Sequence, residues 1–150
     1  MLAETLIVTL FVASVLLFMF VQFTNLNKVY NESYIYNSVE DLYSLKNIKE
    51  YIESDYSAIS YINANVTYQK FVDISNCEIF TEKKYCLKLF ELENIKKIII
   101  TTNKVNYDLF TNHKTKFKNF INKIEKQSDE KYRIIASFNN DTFATIRFGD

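Results

Sequence analysis

From Thr5 to Phe23 no side chain carries a charge. At the α-helical rise per residue this run extends about 28 Å, close to the hydrocarbon thickness of a bilayer, so the segment can span a membrane. A single carboxylate, Glu4, stands at its leading end. A secretory signal has a basic leader, a shorter apolar region and a small-residue exit of the A-x-A type. Here no basic residue precedes the run, the run is longer and no such exit follows it, so the segment is expected to stay in the mature protein. The first basic residues, Lys28 and Lys46, are too sparse to fix an orientation by loop charge.

Setting this helix aside leaves about 125 residues, room for one small extramembrane domain with a single modest core. Lys plus Arg and Asp plus Glu each total 18, for a formal net charge of zero. So balanced a chain projects no broad field toward a polyanion, and nucleic acid is not an expected partner. One glycine and no proline leave turns to be read from Asn, Asp and Ser. The abundance of Phe, Tyr, Ile, Lys and Asn matches A+T-rich coding, and no tyrosine is assigned a role of its own.

Cys77 and Cys86 lie nine positions apart. In an oxidising exterior they pair, closing a short loop worth about 2.5 to 3 kcal/mol in loop entropy. In a reducing compartment they remain two buried thiols. We expect the bridge. A metal site is not expected, because the one histidine, His113, is distant in sequence and no further Cys is present.

Beyond Phe23, Leu26, Val29 and Ser33 keep helical spacing. Val39, Leu42, Leu45, Ile48 and Ile52 then recur every three or four residues, while Glu40, Asp41, Lys46, Lys49, Glu50 and Glu53 take the other faces. The reading is an amphipathic helix with one buried stripe, in a run from Leu2 to about Ser54 that is either one helix or two in line. Ser38 and Asp41 resemble a capping box, which puts a break near Asn37. Three segments follow: 1–23, a transmembrane or filament-core helix; 24–54, its amphipathic continuation; and 55–150, a small globular α+β domain. Within the last, the region 55–67 reads as a short helical turn and loop, and 70–75 as a short strand. Thr81 is expected to cap a short helix with Tyr85, Cys86, Leu89 and Phe90 on one face. Residues 95–102 are a β-branched strand. Residues 113–127 form a helix with Phe117, Phe120, Ile121 and Ile124 on one stripe. Residues 132–138 and 142–148 are a hairpin turning at Asn139, Asn140 and Asp141. The expected class is α+β: a long hydrophobic, then amphipathic helix packed on a small antiparallel sheet with further short helices.

Glu4 followed by Thr-Leu-Ile-Val, an uninterrupted apolar helix and then an amphipathic one resembles the N-terminal segment of type IV pilins and pseudopilins. In that family a leader ending in Gly is removed, the mature chain begins with Phe, and a glutamate stands at the fifth mature position. Met1-Leu2-Ala3-Glu4 fits that frame with Met1 as the second mature residue and Gly-Phe immediately upstream. The sequence as written lacks the basic leader, the Gly and the Phe, and carries no proline in this helix. The resemblance covers about the first 50 residues and, more loosely, the order of helix and sheet.

What the resemblance implies is assembly: Glu4 neutralises the freed N-terminal ammonium of a neighbouring subunit once the helices bundle in a filament core. The bland alternative is an acid at a helix N-terminus, favourable with the macrodipole and hydrated at the interface. Thr5, Thr9 and Ala13, spaced by four, set small side chains along one line where helices can approach closely. In the family a disulfide ties a surface loop near the C-terminus, whereas Cys77 and Cys86 lie earlier and are read as bracing the entry to the sheet.

Enzymatic readings find little support. One glycine forbids a glycine-rich phosphate cradle, and His113, beside Lys114 at the start of a polar-faced helix, reads as a solvated residue rather than a base. Glu91 with Glu93 and Glu40 with Asp41 are charges that helical faces routinely carry. The chain is expected to be no enzyme and to need no cofactor or metal. The leading expectation is a structural subunit of a type IV pilus or a type II secretion-like pseudopilus. It would be anchored in the cell membrane by a single pass, with the globular domain extracytoplasmic and cell-surface filaments as its assembled form. The implied partners are the membrane, copies of itself or related pilin subunits, a prepilin peptidase and an assembly platform. The alternative is a single-pass membrane-anchored protein whose small extracytoplasmic domain binds a partner without polymerising.

Overall fold

Strands form where β-branched and aromatic residues crowd together, and helices where apolar residues recur at every third or fourth position. A computed structural model describes residues 2–36, 39–124 and 131–149, with side chains from 5–24, 39–124 and 131–149. The elements in order are α1 (Leu2–Ser33), β1 (Tyr34–Tyr36), α2 (Val39–Ser54), α3 (Tyr56–Asn65), β2 (Val72–Asp73), α4 (Lys83–Leu92), β3 (Ile95–Thr102), a 3₁₀ turn (Tyr107–Phe110), α5 (Thr115–Ile121), β4 (Tyr132–Phe138) and β5 (Phe143–Phe148). The class is α+β. The chain divides into two compact units, Met1–Ser33 and Tyr34–Asp150.

The second unit is built on one five-stranded sheet of order β1-β5-β4-β3-β2, every neighbouring pair antiparallel. Alternation along a strand sends successive side chains to opposite faces, and here both faces are covered. Ile98, Ile100, Ile134, Ala136 and Ile146 meet Leu45, Ile48 and Ile52 of α2, Ile62 of α3 and Phe90 of α4 in one core. Ile99 and Ile135 face the other way, onto Phe110, Phe117, Phe120 and Ile121. Each fully buried isoleucine contributes about 1.5 to 3 kcal/mol relative to exposure, so the strands β3, β4 and β5 carry much of the unit's stability.

The amphipathic continuation expected over 24–54 is replaced by three pieces: α1 ends at Ser33, β1 intervenes, and α2 begins at Val39. Tyr34-Ile35-Tyr36 is a strand-prone triplet, and pairing Tyr34 with Ile146 and Tyr36 with Ala144 satisfies backbone groups that β5 would otherwise leave at an open edge. The break expected near Asn37 and the Ser38 box lie outside the described residues. The stripe of α2 starts at Leu42, not Val39, which is 58% exposed.

Residues 56–65 form a full helix rather than a turn because Asp55 caps it. The Ala58 N–H donates to Asp55 Oδ1 at 3.0 Å, while the Thr81 N–H donates to Oδ2 at 2.9 Å and the Thr81 hydroxyl to Oδ1 at 3.2 Å. Thr81 is therefore a donor to Asp55 and not the cap expected for α4, whose N-terminus has no side-chain cap. Burial alone would raise the Asp55 carboxyl, but these donors hold it below the ordinary carboxylate value. The strand expected over 70–75 is regular only at Val72–Asp73, although the Ile74 N–H still donates to the Ile98 carbonyl at 3.0 Å. The helix expected at 113–127 is shorter, Thr115–Ile121, and ends at the C-cap Asn122, with 122–124 in a turn; positions 125–127 lie outside the described residues.

With so little glycine, other residues take the left-handed backbone: Cys77 (φ 58°), Asn94 (φ 56°) and Asp141 (φ 60°). Asn and Asp tolerate this region best, and Asp141 does so in the hairpin turn, where its N–H donates to the Phe138 carbonyl at 3.0 Å.

Cys77 and Cys86 form a disulfide with a Cα separation of 5.9 Å, and both residues are wholly buried in the larger core. The bridge ties the segment after β2 to α4. Replacing both by Ala is expected to lower the unfolding free energy by about 2.5 to 3 kcal/mol through loop entropy alone. Urea unfolding of the oxidised parent against the C77A/C86A variant measures this, and equal midpoints would show that the bridge contributes nothing.

Candidate functional site

The candidate site is the exposed surface of α1. A helix that is apolar all round is stable only where its whole circumference meets apolar material, in a core or a membrane. Every side chain from Thr5 to Thr24 is exposed, including Phe11 and Phe20, two of the bulkiest apolar groups in the chain. The segment is long and apolar enough to cross a membrane.

Three of its hydroxyls are turned onto the helix's own backbone. The Thr9 hydroxyl donates to the Thr5 carbonyl at 2.7 Å, the Ser14 hydroxyl to the Phe11 carbonyl at 2.7 Å and the Thr24 hydroxyl to the Val21 carbonyl at 2.9 Å. A hydroxyl bonded in this way can enter hydrocarbon without an unsatisfied donor, which otherwise costs several kcal/mol. Thr5, Thr9 and Ala13 fall on one line of α1, and the Thr9 bond to Thr5 ties two of the three together. Glu4 lies within α1, and its side chain is outside those described.

Cys77, Cys86 and His113 belong to the other unit. His113 is not the solvated residue that sequence suggested. It is half-buried among Phe71, Phe110 and Phe117, with ring centroids at 6.3, 5.5 and 5.1 Å, and its buried Nδ1 has no hydrogen-bond partner. Burial first, and the Lys97 charge second, push the imidazole below its ordinary value; Asp73 opposes this and Lys118 adds to it. The missed signal is the spacing of Phe110, His113 and Phe117, three and then four apart, which lines aromatic rings on one side of the segment. Among the described residues no group of three or more His, Cys, Asp or Glu could hold a metal ion.

Comparison with known proteins finds no matching family model, no matching curated protein and no matching solved structure.

Two outcomes follow from this geometry. Placing lysines at Val12 and Leu16 adds about 5 to 7 kcal/mol to insertion at the helix centre, so V12K/L16K is expected to leave the carbonate-resistant membrane fraction; full retention there would contradict a spanning role. For His113 the folded state binds its proton more weakly than the unfolded chain, whose value is 6.5. Its contribution is therefore complete above that pH and is lost as pH falls below it and through the lower folded value. Unfolding midpoints between pH 7.5 and 5 are expected to slope downward in the parent and to flatten in His113→Gln.

Proposed function

We propose that this chain is a structural subunit of a type IV pilus-like or pseudopilus-like filament, held in the membrane by α1 before assembly and then packed through the same helix. The observation that carries the reading is the carboxylate of Glu4 at the head of the uncharged, predominantly apolar run Thr5–Phe23, whose side chains are exposed throughout. A buried acid in such surroundings is costly unless it meets a cation, and the N-terminal ammonium of a neighbouring copy is the cation that helix bundling supplies. The α+β class and the line of small residues at Thr5, Thr9 and Ala13 support the same reading.

The Cys77–Cys86 bridge favours an oxidising compartment, hence an extracytoplasmic position for the domain that contains it. The partners in this reading are further copies or related minor subunits, a processing peptidase that frees the N-terminus, and an assembly platform in the membrane.

Glu4→Gln removes the charge and keeps the size. It is expected to insert into the membrane as the parent does and to lose at least nine-tenths of its incorporation into sheared surface filaments, read by immunoblot of the two fractions, for the roughly 3 to 5 kcal/mol that breaking a buried pair costs. Undiminished incorporation would leave a tethered domain that does not polymerise.

A further inference from the structure

The cover on the second face of the sheet leaves an opening at its edge. Between β3, β4 and the segment that leads into α5 lies a pocket of about 470 Å³, well within the range of small-molecule sites. Its floor is apolar, with Ile99 from β3, Ile135 from β4 and Phe143 from β5, and Phe117 forms a wall. His113 lies at the same wall, its ring 5.1 Å from that of Phe117.

The rim is cationic. Lys96, Lys97, Lys114 and Lys116 all border the pocket. Lys96 is paired with Asp141 and Lys97 with Asp73, each at 3.2 Å. Lys114 and Lys116 have no ion pair among the described residues, although both are close enough to lower the Asp141 carboxyl after the larger effect of Lys96. Two lysine charges are thus in excess around an apolar floor, on a chain whose formal net charge is zero. Charge and apolar surface at one opening select a ligand that carries both. Ser137, also at the opening, offers a neutral hydroxyl donor.

We propose that this pocket binds a small amphiphilic carboxylate, its aromatic or aliphatic body on Ile99, Ile135 and Phe143 and its anionic head between Lys114 and Lys116. Charge-assisted bonds to two ammonium groups fix the head, while burial of the body supplies most of the attraction. A cation meets the lysines unfavourably, and a neutral molecule of the same shape keeps only the apolar part. The proposal is independent of filament assembly and stands or falls without it.

The test uses the full chain in detergent micelles, titrated with 3-phenylpropionate and, separately, with the uncharged 3-phenylpropanamide, and followed by backbone amide shifts. The acid is expected to give saturable shifts centred on Ile99, Phe117, Ile135 and Phe143, and the amide to bind about tenfold more weakly, the loss that one charge-assisted contact predicts. The K114Q/K116Q variant, altered only at exposed positions, is expected to bind acid and amide alike. Ser137→Leu, which fills the opening, is expected to abolish both. Equal affinity of the parent for acid and amide, saturation centred elsewhere, no saturable shift, or undiminished binding of the acid by K114Q/K116Q would each overturn the proposal.

Discussion

The dominant physical constraint on the first unit is the need of its helix for apolar surroundings. Between Thr5 and Thr24 every side chain is exposed, none is charged, and the hydroxyls of Thr9, Ser14 and Thr24 are already bonded to the helix backbone. Such a surface gains nothing from water, and burial of its bulk side chains is worth about 25 cal/mol for each Å² removed from solvent. In the proposed account lipid meets that demand for a single copy, and a bundle of identical helices meets it after extraction from lipid. In the proposed account Glu4 makes the second state specific, because a carboxylate beside a freed ammonium sets an axial register that hydrocarbon contact alone does not.

The unit from Tyr34 onward solves a different problem: it must hold its shape with almost no glycine and no proline. It does so with a sheet covered on both faces, a buried disulfide and a carboxylate, Asp55, that caps α3 and receives two donors from Thr81 at once. On the sheet's second face Arg133 is fully buried, its guanidinium donating to Asn103 Oδ1 at 3.2 and 3.0 Å and to the Thr145 hydroxyl at 3.3 Å. These polar contacts join β4 and β5 to Asn103, the residue that follows β3, where the isoleucines give way to polar residues, so the sheet is fixed in register as well as buried.

The strong local signals were legible in the sequence. The uncharged run, the β-branched strand at Ile95–Thr102 and the hairpin around Asn139–Asp141 are dominated by nearest-neighbour pattern, and the α+β class follows from them. Features that depend on distant partners were not. β1 exists because β5 offers it an edge 110 positions away, as the pairing of Tyr36 with Ala144 and Tyr34 with Ile146 shows. The role of Thr81 is set by Asp55, 26 residues earlier in the chain. His113 looked solvated beside Lys114, yet Phe71, from the region of β2, helps close aromatic rings around it. The lysine-rimmed pocket is likewise assembled from β3, β4, β5 and the start of α5, and no local window contains it.

The most direct measurement of the central claim is contact between copies of α1 in the cell. A photoreactive residue placed at Ala13, on the line with Thr5 and Thr9, is predicted to give a ladder of cross-linked multimers in the sheared surface fraction and lipid adducts of single chains in the membrane fraction. Lipid adducts alone, with no multimer in either fraction, would contradict the account and leave α1 as an anchor and nothing more.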